Sequence, residues 1–456
     1  MKSPSALRAR LRDLTEEMDA LESEIRVLAK ERQRVMDDLD SIIYPVLTLP
    51  PEITSEIFSN YVMDPCLGRP RSTPSRGPLT LAAVCHSWRR ICFSTQPFWA
   101  SLRIHPDPSW VVDDFVHILE CWLQRAGNHP LDLDISACEQ TPFMKIFSVI
   151  SNHSSQLRAL TFSLEPSFPF PNDEFQGHLP LLSKLTVHIL AEEDDDHPAM
   201  VTAFHDAPRL REVQLFWTSF NSIALPWIQL THLGLSEESV SSALRILQET
   251  PNLEVLEVYF SDMVREPPQS LTLHHLHTLK FIYDPDGELL EHLVLPALKT
   301  IHLVALHGPG SLLFSNLVIR SALSLRSIHL TKMAVDDCIV CLRSLPSLAE
   351  VQIQAWAFND SSLHGFLAFL HEDRAILPAL ETLALSQCCP EFSALRLREM
   401  LAWRSSEKHH EQVKLKSFRL TFARTRGVPS KEFVEEIWAE LRAVMDAGLQ
   451  VSIDVA

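Results

Sequence analysis

The stretch Leu253-Glu-Val-Leu256-Glu-Val258 sets down an apolar residue, two others, an apolar residue, one other and an apolar residue. The chain writes this phrase eleven times between Leu157 and Leu420, for example as Leu157/Leu160/Phe162, Leu182/Leu185/Val187, Leu210/Val213/Leu215, Leu298/Ile301/Leu303, Leu348/Val351/Ile353 and Leu380/Leu383/Leu385. The last two apolar residues of each phrase lie two apart, so both point to one side of a short strand, and the first closes the turn leading into it. A strand of this kind buries one face only and needs neighbours to shield it. The pattern therefore predicts a stacked binding array before it predicts a reaction centre.

Successive phrases start 20 to 35 residues apart, most within the roughly 20 to 29 residues that a strand-plus-helix repeat needs. This is the signature of a leucine-rich repeat, and it predicts an α/β leucine-rich-repeat solenoid whose strands form a parallel sheet. Ser241 to Glu249 and Val335 to Leu345 carry helical periodicity between phrases. The polar residue expected three beyond the last apolar position is mostly missing, and only Leu380 to Cys388 supplies it, at Cys388. The repeats are irregular.

Composition sets the outer bounds. The chain has 456 residues, 46% hydrophobic and 21% charged, as in soluble globular proteins. No apolar run reaches the roughly 18 residues needed to span a membrane, and the basic first residues lead into a charged helix instead of an apolar signal core. Nine cysteines without framework spacing suit a reducing compartment, so cytoplasm or nucleus is expected. A net charge of −18 argues against nucleic acid as a partner, because phosphate binding needs clustered Lys and Arg. Part of that charge is the run Glu192 to Asp196, which reads as a solvated loop or a docking loop for a basic partner.

Residues 1–43 form a separate object. Leu7, Leu14, Leu21, Leu28, Val35 and Ile42 fall at d positions and Leu11, Met18, Ile25, Arg32 and Leu39 at a positions of about five heptads. This predicts a coiled-coil helix, capped by Ser3-Pro4 and stopped at Tyr44-Pro45. Self-association through residues 1–43 and packing on the same chain are equally open ways to cover that seam. In a parallel homodimer Glu17 would face Glu22 of the partner helix, which is repulsive.

Residues 46–103 carry the more specific information. Pro50 and Pro51 suit a helix start, with Ile53, Ile57 and Phe58 on one face. A Pro/Gly/Ser/Arg-rich spacer, Met63 to Pro78, precedes a second predicted helix that gathers Leu81, Val84, Cys85, Trp88 and Ile91, followed by Pro97-Phe-Trp99. Two short amphipathic helices cannot build a large core, and read as a module that docks on a partner or caps the array's open end. The order LPPEI, IF, VC, W, I and FW resembles the F-box family. The resemblance covers about an eighth of the chain, and the spacer is longer than is usual there. It implies docking to the Skp-family adaptor and, through it, to a cullin-based ubiquitin ligase. Carried over by match, Leu49, Pro50, Ile53, Ile57, Val84, Cys85, Trp88 and Trp99 would touch the adaptor, while Phe58, Leu81 and Ile91 hold the module together.

An F-box followed by leucine-rich repeats resembles a substrate receptor of such ligases, with residues interleaved between the buried pairs selecting the target protein. The expected target contacts are Phe216 with its neighbour Trp217, and Glu257, Tyr259, Lys280, His302, His329 and Gln352, chosen from interleaved positions that also include Lys184, His188, Glu212 and Glu350. The competing reading is a leucine-rich-repeat scaffold that self-associates through residues 1–43 with no ubiquitin role. Neither reading needs a catalytic residue, metal or cofactor. Cys338 and Cys341 have redox or zinc spacing, but sit in a predicted helix without a second pair and read as core thiols. The groups His274/His275/His277, His409/His410 and Cys388/Cys389 lack ligand partners at fixed spacing. The expected domains are a helix at 1–43, an F-box-like domain at 46–103, a connecting region at 104–150, and the solenoid with its C-terminal cap at 151–456.

Overall fold

The structure is a computed structural model that describes residues 4–41, 45–63, 76–104, 112–136, 140–164, 170–189, 200–216, 222–237, 240–260, 270–282, 287–355, 358, 360–372, 376–388, 392–406, 413–422 and 429–455. Two compact units divide it, one ending at Phe98 and the other running from Trp99 onward. Ser3, Tyr44, most of the spacer, the acidic run Glu192 to Asp196, Trp217, Cys389 and the pair His409/His410 lie outside the described residues.

The first unit opens with one uninterrupted helix, α1 (Pro4–Ser41). Its interior is rich in Leu, Ala, Arg and Glu and free of Gly, which suits a long helix. Local pairs add a little, as between Glu22 and Arg26 at 3.6 Å and between Gln33 Nε2 and Asp37 Oδ1 at 2.9 Å. Every residue from Arg10 to Asp38 is exposed, and these include the seam from Leu11 to Val35.

Three shorter helices follow: α2 (Pro51–Met63), α3 (Arg76–Ala82) and α4 (His86–Ser94). Pro51 takes the first position of α2, where a missing N–H costs nothing. Phe58 is the buried pivot, with the Trp88 ring edge-on at 4.8 Å and Phe98 at 6.5 Å. Leu81, Ile91 and Cys92 complete this small core.

The single helix expected over Leu79 to Cys92 is in fact two. The chain breaks after Ala82, and Cys85 adopts an extended conformation (φ −156°, ψ 169°) ahead of α4. Arg89 Nε donates to the Ala82 carbonyl at 2.9 Å, satisfying an acceptor freed at the end of α3. The break lifts Val84 off the face that buries Leu81 and Ile91.

The second unit is built on a parallel sheet of 14 strands among the described residues, each hydrogen-bonded to the next in chain order. In order these are β1 (Ser101–Ile104), β2 (Leu131–Ser136), β3 (Leu157–Leu164), β4 (Lys184–Ile189), β5 (Glu212–Phe216), β6 (His232–Glu237) and β7 (Val255–Phe260). The order continues with β9 (Thr278–Ile282), β11 (Thr300–Val304), β12 (Ser327–Thr331), β13 (Glu350–Gln354), β14 (Thr382–Cys388), β15 (Ser417–Phe422) and β16 (Gln450–Val455). Strands β8 (Leu271–Thr272) and β10 (Leu293–Val294) pair separately with each other.

The leucine phrase explains this order. All three apolar positions of all eleven phrases are buried to within 2% exposure, from Leu157, Leu160 and Phe162 to Leu415, Phe418 and Leu420. Equivalent residues are register partners in adjacent strands, as in Leu256 with Leu279 and Val258 with Phe281. A recurring backbone device fixes the spacing. The carbonyl just before most of these strands accepts two consecutive N–H groups of the following unit, as Thr231 does from Glu254 and Val255 (2.8 and 3.0 Å) and Lys299 from Arg326 and Ser327 (2.9 and 3.1 Å). Truncating any one of these leucines to Ala would cost about 2–5 kcal/mol.

Helices occupy many of the connections: α5 (Val112–Ala126), α6 (Gln140–Ser151), α7 (Asn172–Phe175), α8 (Val240–Gln248), α9 (Glu288–His292), α10 (Pro309–Arg320), α11 (Val335–Arg343), α12 (Asp360–Glu372), α13 (Ala394–Arg404) and α14 (Lys431–Asp446). Two arginines knit successive connections together. Arg320 donates to the carbonyls of Leu290 and Leu293, while the buried Arg404 donates to those of Leu370, Ile376 and Leu377 at 2.9–3.1 Å. Each guanidinium thus satisfies acceptors left open where α9 or α12 ends.

The region expected as a connector at 104–150 is part of the array. Leu133 pairs with Leu102 on one side and Leu160 on the other, in the register of the leucine phrases. Trp99 fills the first phrase position ahead of β1, and at β2 the buried Leu131, register partner of Leu157, fills it one residue out of step, so that a strict leucine pattern passes over both.

Candidate interaction surfaces

The sheet has a second face, where the residues between the buried pairs line up in rows. Register places Gln214, Gly234, Glu257, Lys280, His302, His329 and Gln352 side by side across seven neighbouring strands. Five of the expected target contacts therefore form one continuous row. Phe216 and Tyr259 belong to the next row, with Ser236 between them.

This face is a linked network of half-buried groups. The Tyr259 hydroxyl donates to Glu257, whose other carboxylate oxygen pairs with Lys280 at 3.2 Å. Burial, then the bond to Glu257, holds the Tyr259 phenol above the usual tyrosine range. His302 and His329 meet edge to face with ring centroids 5.5 Å apart, and His302 Nε2 lies 2.9 Å from the Thr331 hydroxyl. Gln352 donates to Glu350 at 2.6 Å. Burial lowers the pKa of both imidazoles; His329 and Lys280 lower that of His302 further, while Glu257 opposes this, and Glu350 opposes the shift at His329. Near neutral pH these rings are uncharged.

The aromatic part has a small residue between its rings. Phe216 stacks on His188 at 4.4 Å with the planes 4° apart, and reaches Tyr259 at 6.0 Å. Those two rings come from β5 and β7, so they meet across β6, where Ser236 is buried and Gly234 has no side chain. A Cβ at Gly234 would sit 3.1 Å from Gln214 Cγ. Burial likewise lowers the His188 pKa, with Asp134 opposing it. His188 belongs with Phe216 and Tyr259, and its signal in sequence was its interleaved position one strand before Phe216.

The helical unit presents a different surface. Ile53 and Ile57 are each 51% exposed and Val84 60%, with Leu49 and Pro50 also exposed. Tyr61 and Leu79 join them as exposed apolar groups. Tyr61 continues the four-residue step of Ile53 and Ile57, a stripe along α2 that the sequence contained but that ended one residue short in the expected set. Cys85 and Trp88 are half-buried, and Trp88 is largely engaged by Phe58.

Trp99 does not belong to this surface. It is fully buried (0% exposed) in the second unit, edge-on to Trp122 at 4.6 Å with the Arg125 guanidinium 5.1 Å above its ring. Its expected role as an adaptor contact is corrected to that of a core residue, because it fills the first phrase position ahead of β1.

Cys338 and Cys341 are fully buried in α11, where burial pushes the Cys338 thiol up to about 12 and raises Cys341 as well. Among the described residues no group of three or more His, Cys, Asp or Glu side chains is placed to hold a metal ion, and no helix is long and apolar enough to cross a membrane.

No family model and no curated protein matches the chain. Among solved structures it is similar to one described as the crystal structure of a TLR13–ssRNA13 complex, with 16% identity and a TM-score of 0.37 over 72% of this chain and 46% of that one. The chain thus spans less than half the length of that chain. A likeness at this level bears on neither mechanism nor partner.

Proposed function

We propose that this chain is a leucine-rich-repeat solenoid carrying an F-box-like module, and that it serves as the substrate-receptor subunit of a Skp-cullin-F-box ubiquitin ligase. The observation that carries the proposal is the exposed apolar surface of Leu49, Ile53, Ile57 and Val84 over a core pinned by Phe58. These exposed positions are among those that the F-box resemblance assigns to adaptor contact. A small helical unit that leaves such side chains in water gains by docking them on a partner.

In this reading the polar face of the sheet takes the target protein. The His188, Phe216 and Tyr259 rings supply apolar contact area, and the row from Glu257 to Gln352 supplies hydrogen-bonding groups. The chain itself contributes no chemistry, and ubiquitin transfer belongs to the partners. Co-purification of the intact chain with a Skp-family adaptor tests the proposal. Failure to form a complex would favour an interaction scaffold instead.

A further inference from the structure

The apolar seam of α1 is uncovered along its whole described length. Leu11, Leu14, Met18, Leu21, Ile25, Leu28 and Val35 are all 41–66% exposed. These seven apolar side chains, spaced by threes and fours from Leu11 to Leu28 and resuming at Val35 beyond Arg32, make a docking stripe along one face of the helix. The charges beside that stripe decide what fits it.

With Leu11 at position a, the g positions flanking the seam are Arg10, Glu17, Glu24, Glu31 and Asp38, and the e positions are Arg8, Thr15, Glu22, Ala29 and Met36. From residue 15 to residue 38 the flanks therefore hold five acids and no base. A second copy meets repulsion in either direction. In parallel, Glu17 faces Glu22. Antiparallel, with Leu21 stacked on Ile25, Glu17 faces Glu31 while Glu22 and Glu24 each face their own counterparts. Like charges across such a seam select against self-pairing.

We propose that α1 pairs with a helix from a different protein, one that has an apolar heptad seam and Lys or Arg at its e and g positions. Arg32, which interrupts the seam at an a position, assigns that partner a carboxylate or amide at the facing core position. A basic helix covers the Leu11 to Val35 stripe and at the same time neutralises Glu17, Glu22, Glu24, Glu31 and Asp38. This pairing is independent of the adaptor surface on α2 and of the sheet's polar face.

The test uses the full chain and two designed five-heptad peptides with identical Ile/Leu seams, one carrying Lys and the other Glu at all e and g positions. Titration by fluorescence anisotropy should show the Lys peptide binding at least tenfold more tightly than the Glu peptide. Leu21→Asp with Leu28→Asp should abolish that binding, while circular dichroism confirms that the rest of the chain stays folded. The charge-reversed chain Glu17→Lys, Glu24→Lys, Glu31→Lys should invert the preference between the peptides. Equal binding of both peptides, or binding of neither, would overturn the proposal. So would a concentration-dependent doubling of mass of the unmodified chain in sedimentation that the Leu21→Asp, Leu28→Asp chain loses.

Discussion

Replacing Ile53 and Ile57 together by Asp tests the proposed adaptor docking apart from mere folding. Both side chains lie on one face of α2 and are half exposed, so folding has used only about half of their apolar area. Full burial of an Ile side chain is worth about 1.5–3 kcal/mol, so capture of the remaining half contributes about 1 kcal/mol each. Losing both costs about 2 kcal/mol of binding, roughly a 30-fold weaker Kd, and forcing two carboxylates against an apolar partner pushes the loss further. Stability should fall by no more than about 1 kcal/mol for the pair, as expected for exposed positions. Phe58→Ala is the contrasting change, removing a ring held against Trp88 and Phe98 at a cost of about 3–5 kcal/mol. Calorimetric titration with a purified Skp-family adaptor and urea unfolding followed by circular dichroism supply both numbers. An unchanged Kd in the Asp variant would refute the docking surface. A stability loss as large as that of Phe58→Ala would show that the stripe is internal.

Four further outcomes follow from the geometry. Arg404→Met should lower stability by about 3 kcal/mol in urea unfolding, because it strips donors from the buried Leu370, Ile376 and Leu377 carbonyls. The lowered pKa values of His188, His302 and His329 mean that the unfolded chain binds protons first as pH falls below about 6.5. Stability contributed above that pH is therefore lost on acidification, and His188→Asn, His302→Gln, His329→Gln should flatten the fall in urea midpoint between pH 7.5 and 5.5. Because the Tyr259 phenol is held in its neutral form, the ultraviolet difference between the native chain and Tyr259→Phe should show no phenolate at a pH near 10, where an ordinary tyrosine is half ionised. Cys338 and Cys341 should react with a thiol-specific dye only as the chain unfolds, and rapid labelling of both under native conditions would contradict their burial.

What could be read from sequence depended on how local the physics is. In the phrases from Leu157 to Leu420 each strand and its turn are specified within six residues, so apolar spacing alone located the strands and put them in register. The first two strands follow the same burial, yet Trp99 stands where leucine stands elsewhere, Leu131 pairs with Leu157 one residue out of step with the phrase spacing, and the buried alternation Leu131/Leu133/Ile135 is too short to stand out alone. The break between α3 and α4 was hidden for the opposite reason. Leu81, Val84, Trp88 and Ile91 keep helical spacing across it, and the extended Cys85 and the Arg89 side chain that takes up the freed Ala82 carbonyl leave no mark in that spacing.

The surfaces show the same division. Which residues face outward follows from period two in a strand and period 3.6 in a helix, and that much placed Ile53, Ile57, Glu257 and His302. What those residues do to one another requires distances between strands. Phe216 reaches Tyr259 across β6, where the register places the small, buried Ser236 between them, a residue that looks inert in sequence. A larger side chain at Ser236 would push the two rings apart and divide one aromatic patch into two. The continuity of this aromatic patch is thus set as much by its smallest residue as by the rings themselves, and if the face takes the target as proposed, a larger residue at Ser236 should alter target choice while leaving Phe216 and Tyr259 in place.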